Sequence, residues 1–363
     1  MLPYYLLSLL LAVLAMKTKE IAFTLPLVVL LYEFSFFGVP DLRKMALFAP
    51  LLLTICIIPL GMISLQQSAG DILSEISTAT KDAQHLSRSE YLITQFSVIV
   101  TYLRLLILPV NQNLDYDYPL SRSLLEPRAF LSLSLLMSLF GFAVYLYYHS
   151  SLQSPKVSRS PVPCPQSPLF RLAAFGIFWF FITLAVESSI IPIRDVIFEH
   201  RVYLPSVGFF FAVAALVTVA AGRLRIDTQK ACALTVLLTT AAVMALSLAT
   251  YARNMVWQSG PDLWLDVKKK SPEKDRAYNN LGAYYLLQGR IPDAIRELET
   301  ASRLNPQALD VHQNLGQAYS RMGRYADAIR AYTAARKIEP NDPEARDALP
   351  ELERLMNAQQ SGR

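Results

Sequence analysis

The sequence has little of what a disulfide scaffold or a soluble active site needs. Only three cysteines occur in 363 residues. Cys56 and Cys232 lie in apolar runs and Cys164 in "PVPCPQ", so their spacing supports neither paired disulfides nor a zinc site. There is no glycine-rich phosphate loop, no HExxH helix and no GxSxG elbow, so soluble nucleotide, metalloprotease and hydrolase chemistry has no support. Charge is sparse too, at 17% of residues with a net of +5. The lysines and arginines sit mostly in short loops, which reads as a topology signal and not as a nucleic-acid surface. The opening "MLPYYLLSLLLAVLAMKTKE" lacks the basic region and cleavage site of a secretory signal. We read it as a membrane helix whose upstream context is absent.

What is present divides the chain. Hydrophobic residues make up 53% of the whole, yet the last hundred residues are strongly polar, so a membrane part precedes a soluble part. A bilayer span needs about 20 mostly apolar residues. Such runs occupy 2–16 (short), 21–37, 45–65, 129–148, 169–190, 204–221 and 231–250, within a membrane region 1–250. An eighth run, 90–109, differs. Its polar residues Glu90, Thr94, Ser97, Thr101 and Arg104 recur at helical steps and make one polar stripe. A helix so marked would lie in the interface or line a cavity, whereas a lipid-facing span would not carry that stripe. We favour the interfacial reading; a spanning helix is the alternative. Seven spans put loops 38–44 (Arg43, Lys44), 149–168 (Lys156, Arg159) and 222–230 (Arg223, Arg225, Lys230) on the cytoplasmic side. "KTKE" at 17–20, residues 66–128, 193–201 and the C-terminal part then share the opposite side.

Residues 251–274 read as an amphipathic connector, with Trp257 and Trp264 as interfacial aromatics. A repeat follows. Leu281, Gly282, Tyr285, Gly289, Ala294, Ala301 and Pro306 are matched 34 residues later by Leu315, Gly316, Tyr319, Gly323, Ala328, Ala335 and Pro340. That period with those small residues is the tetratricopeptide helix–turn–helix unit. The expected repeats are 275–308 and 309–342, with a capping helix at 343–358 and a tail at 359–363. The predicted class is all-α: a polytopic membrane helix bundle followed by a helical-repeat domain.

Several residues are candidates for chemistry. Asn280 and Asn314 share one repeat position, and side-chain amides there would hold an extended peptide by its backbone. A spacer or self-association surface is the alternative. In "EHRVYLPS", Arg201 would grip a phosphate with its forked donors, while Glu199 or His200 would orient it or move a proton. The same three residues would equally form a snorkelling salt-bridge cluster. Lys17 and Lys19 read as an ordinary loop taken alone. Asp115 and Asp117 alternate with Tyr116 and Tyr118, a spacing open to a metal, a sugar or simple loop packing.

Taken together, "KTKEIAFTLPLVVLLYEF", "TYLRLLILPVNQNLDYDYPLS", "FEHRVYLPSVGF" and the "NNLGAYY" region resemble tetratricopeptide-bearing membrane proteins related to protein O-mannosyltransferases, within the GT-C glycosyltransferase superfamily. The likeness runs from Leu2 to about Ala358. It implies an integral membrane enzyme that moves a sugar from a polyprenyl-phosphate carrier to a protein or glycan hydroxyl outside the cytoplasm. The composition leans to a bacterial inner membrane. The resemblance further implies that Lys17, Lys19, Arg104, His200 and Arg201 meet the lipid phosphate and that the repeats present a protein acceptor. The expected donor is the lipid-linked sugar with no other cofactor; no metal ligand is named and metal dependence stays open, and no nucleic-acid partner is expected. One departure stands out. The superfamily's base is an acidic residue in the first outer loop, and here no Asp or Glu precedes Glu20. That implies an incomplete or inactive member, with Asp115, Asp117 and Glu199 as the weak substitutes. A non-enzymatic membrane-anchored scaffold is the competing expectation.

Overall fold

A computed structural model describes residues 2–38, 42–58, 87–152, 167–186, 188, 195–223 and 228–361. Lys156, Arg159, Cys164 and Arg225 lie outside these residues, as do all of 66–86 and the side chains of Arg43, Lys44, Lys230 and Cys232. The protein is all-α, with no strand among the described residues. It falls into two compact units, one of Met1–Gln112 with Tyr118–Leu237 and one of Asn113–Asp117 with Leu238–Arg363.

The first unit begins with α1 (Leu2–Met16), a short 3-10 turn (Glu20–Thr24) and α2 (Leu25–Phe36). Pro26 sits in the first turn of α2, where a missing N–H leaves no bond unmade. α3 (Leu42–Leu53), α4 (Arg88–Ile107), α5 (Pro127–Leu152), α6 (Ser167–Leu184), α7 (Tyr203–Arg223) and α8 (Thr228–Trp257) follow. Among the described residues, four helices are long and apolar enough to cross a bilayer: Arg88–Ile107, Pro127–Leu152, Glu199–Arg223 and Ala233–Trp257. Leu2–Met16, Met45–Cys56 and Pro168–Leu184 are shorter apolar helices.

Helices α5, α6 and α7 form the heart of this unit. Ala143, Leu146, Phe170, Ala173, Ala174, Ile177, Ala212 and Ala215 are buried together. Small residues dominate because helices in lipid gain by close van der Waals approach, with no hydrophobic drive between them. α6 and α7 approach closely at Gly176 and Gly208. A Cβ on either would strike the other's carbonyl oxygen. Trp179 Nε1 closes the same crossing by donating to Leu204 O at 3.0 Å. α2 leans on α6 through Tyr32, Phe36 and Phe175, and Tyr147 of α5 donates to Phe34 O at 3.1 Å.

The second unit continues from α8 into α9 (Gly260–Lys270), α10 (Asp275–Leu287), α11 (Ile291–Leu304), α12 (Leu309–Arg321), α13 (Tyr325–Ile338) and α14 (Pro343–Ser361). Leu286, Leu298, Val311, Leu315, Tyr332, Leu349 and Leu352 share one core. The repeated glycines explain the pairing. Gly282 faces Leu298 and Gly316 faces Tyr332 so closely that a Cβ would overlap each side chain. Gly289 and Gly323 turn between paired helices at φ +73° and +71°, a region costly to residues with a Cβ.

Candidate functional site

The Glu199–Arg201 motif of the first unit is built on α4. Ser87 caps this helix by accepting from Glu90 N, while Glu90 accepts from Ser87 N at 3.0 Å. Ile107 ends it two residues before Pro109. Its buried residues Tyr91, Thr94, Gln95, Val98, Tyr102 and Leu105 follow one another around a single face. Of the four long apolar helices among the described residues it is the most enclosed by protein. Its polar residues Thr94, Gln95, Ser97 and Tyr102 are therefore turned into protein, whereas Arg104 near its end is exposed. Thr94 Oγ1 accepts from Ser121 N at 2.9 Å, and Thr101 Oγ1 lies 2.9 Å from the Tyr118 hydroxyl.

The loop before α7 lies along the same helix. Gln95 Nε2 donates to Val196 O at 3.0 Å, and Phe198 N donates to the Tyr102 hydroxyl at 3.0 Å. Arg201 is buried, at 5% exposure. Its Nη2 donates to Asp195 O at 3.2 Å and its Nη1 to Val196 O at 3.5 Å, with the guanidinium 5.1 Å from the Phe198 ring centre. His200 is exposed beside the Phe198 ring, at 5.1 Å between centroids, and Glu199 is half-buried. Thus one residue of the motif holds the loop and another is presented outward.

The other cations are set apart from this lock. Lys17 and Lys19 project exposed from the turn after α1, where their backbone amides bond back to Leu14 O and Ala15 O. Arg104 is exposed and donates to Val110 O at 3.4 Å. Gln95 and Tyr102 were not among the sequence candidates. Their spacing of seven, matching that of Thr94 and Thr101, is the signal that a second polar row runs beside the first.

Asp115 and Asp117 belong to the second unit. The Asp115 carboxylate is buried between Lys274 Nζ at 3.5 Å and Arg276 Nη1 at 3.4 Å. Asp117 is exposed. In the repeats, Asn280 Nδ2 donates to Arg276 O at 2.7 Å, within its own helix. Asn314 Nδ2 donates to Asn279 Oδ1 at 2.9 Å, and Asn279 Nδ2 to Asp310 Oδ2 at 2.7 Å. The two candidate asparagines, equivalent in sequence, therefore make different contacts. Burial, reinforced by a hydrogen bond to Glu299, pushes the Tyr319 hydroxyl up to about 12. For Asp266, burial pulls upward, but hydrogen bonds from Lys270 and Arg253 outweigh it and hold the carboxyl below its usual range. Among the described residues, no three His, Cys, Asp or Glu side chains are grouped to hold a metal ion.

Residues 285–352 match the tetratricopeptide repeat family. The second unit carries a tetratricopeptide domain. Its helix pairs, glycine contacts and 34-residue register are those described above. Protein O-mannosyl-transferase Tmtc2 of Drosophila melanogaster is 33% identical over 128 residues, which is 35% of this chain. The aligned stretch spans 13% of that relative's length. The TPR2AB domain of yeast Sti1, solved in its pHSP90 complex, aligns over 63% of this chain and 89% of its own at 17% identity. Its TM-score of 0.23 is too low for any comparison of positions.

Proposed function

We propose that this chain is a membrane glycosyltransferase-type protein that engages a polyprenyl-phosphate-linked sugar at the non-cytoplasmic rim, with the tetratricopeptide domain on that side holding an extended protein segment. A bacterial inner membrane is the setting we favour. The observation that carries the reading is the locked loop 195–201. Three side chains fix its backbone, so that exposed His200 is offered at the end of an apolar helix. An anionic head group there would compensate imidazole, ammonium and guanidinium groups that lipid alone would leave poorly solvated. The partial identity with an O-mannosyl-transferase supports the same chemistry.

In this reading Lys17, Lys19, Arg104 and His200 face the phosphate, and Arg201 acts chiefly through the loop. The test is binding of a polyprenyl phosphate to the full chain in detergent micelles. Replacing Lys17, Lys19 and His200 with Ala, Ala and Asn should weaken binding at least about tenfold, the loss of about 1.4 kcal/mol, while the helical spectrum stays unchanged. Undiminished binding in that variant sinks the proposal.

A second reading is a non-enzymatic membrane-anchored scaffold. It is favoured by one observation: Asp115, one of the three acidic candidates for chemistry, is closed between two cations. Capture of a partner that needs residues 275–358 but ignores Lys17, Lys19, Arg104 and His200 would decide for it.

A further inference from the structure

Asn113–Asp117 belongs to the repeat unit, although its flanks on both sides belong to the other. The segment has no helix or strand. Ser271, 2% exposed, is the hub that holds it. The Ser271 hydroxyl accepts from Asn113 Nδ2 at 2.8 Å and from the Asp117 backbone N–H at 2.9 Å. The Asp115 carboxylate reaches Lys274 and Arg276, and each of these cations keeps 31% of its side chain exposed.

The repeat register shows what this segment stands in for. Ser271, Pro272 and Arg276 lie 34 residues before Asn305, Pro306 and Asp310, and 68 before Glu339, Pro340 and Glu344. Between the two full repeats, Asp310 is met by Asn279 from the preceding helix pair. At Arg276 the repeated acid becomes a cation, and Asp115 meets it instead of a preceding repeat. Arg276 is also one turn from Asn280, whose amide bonds its carbonyl. The cation pair thus opens the helix face on which the candidate asparagine lies.

We propose that Ser271, Lys274 and Arg276 form a docking site for an extended acidic peptide, and that Asn113–Asp117 fills it in cis. This rests on the reading of the repeats as a peptide-binding unit. The contacts are of the kind such a ligand needs: one backbone N–H, one amide and one carboxylate set between two cations. The carboxylate sits 3.5 Å from Lys274 and 3.4 Å from Arg276, within ion-pair reach of both. A tethered occupant competes at an effective concentration on the order of millimolar, so an outside peptide binds weakly until the segment lets go.

The experiment uses the full chain in detergent micelles and a fluorescent peptide, NLDYDYP, followed by anisotropy. Asp115→Asn should bind it at least about tenfold more tightly than the parent chain, since cis competition is relieved. Asn113→Ala, which loosens the anchor without changing charge, should shift binding the same way and covers any folding loss in the first variant. Adding Arg276→Glu to Asp115→Asn should abolish the gain. No tightening in either single variant overturns the site, as does tightening that survives Arg276→Glu. Peptide binding that needs Asn280 and Asn314 but ignores Asp115 and Arg276 also overturns it, while leaving the peptide-binding reading in place.

Discussion

At the residue scale, the charges divide by what surrounds them. Arg201 is enclosed and bonded to backbone carbonyls, whereas His200 beside it is open. Hydrogen bonds from charged groups are worth about 1.5–3 kcal/mol. Arg201→Met should therefore destabilise the membrane unit by about that much, read as a lower thermal midpoint in micelles and faster amide exchange over 195–201. Asp266 gives a pH signature. Its folded carboxyl lies below the unfolded value of about 3.9, so its contribution is fully present above that pH and is lost as pH falls through the lower folded value. The midpoint difference between the parent chain and Asp266→Asn should shrink as pH drops below about 4. A difference that grows in acid would contradict the arrangement. The residue types of the rim motif were legible in the sequence. Their division into holder and presenter was not, because it depends on Gln95 and Tyr102, about a hundred positions away.

At the element scale, the α6–α7 crossing is closed by a glycine on each side, with no room for a larger residue. Overpacking a filled interface costs about 1–3 kcal/mol, occasionally more. Gly208→Leu should lower the midpoint by that order, since the Gly176 carbonyl and Trp179 stand where the new side chain must go. Gly141→Leu on α5 is the control. A Cβ there meets nothing within 4 Å, so the midpoint should hold. Both residues read alike in the sequence, as glycines within apolar runs. The helix α4 is a related case: its polar stripe was visible as periodicity, but the partners at Ser121, Tyr118, Val196 and Phe198 come from loops that periodicity does not address.

At the scale of the whole molecule, the proposed function requires one face for three regions. With native cysteines removed, single cysteines at Lys19, His200 and Gln307 should react with a membrane-impermeant maleimide from the same side. Labelling of Lys19 or His200 from the side opposite Gln307 would end the polyprenyl-phosphate reading. Helix α8 bears on the anchoring of the chain. Its apolar stretch Ala233–Trp257 has no residue buried against protein, the environment in which lipid is the natural solvent. Its last turns are tied to α9 by the Arg253–Asp266 pair, so a membrane-length helix passes directly into the repeat unit.

The sequence by itself determined the helical class, the apolar runs and the 34-residue register. Each is a local or periodic property, set by hydropathy over about 20 residues or by small residues recurring at a fixed offset. Only the tertiary structure decided that Arg201 holds while His200 faces out, and that Asp115 is clasped by Lys274 and Arg276. The physical reason is that such contacts join segments far apart in the chain, 158 positions for Asn113 and Ser271. A hydrogen bond over that separation leaves no period behind, and whether a charge is open or enclosed follows from the neighbours that folding brings to it.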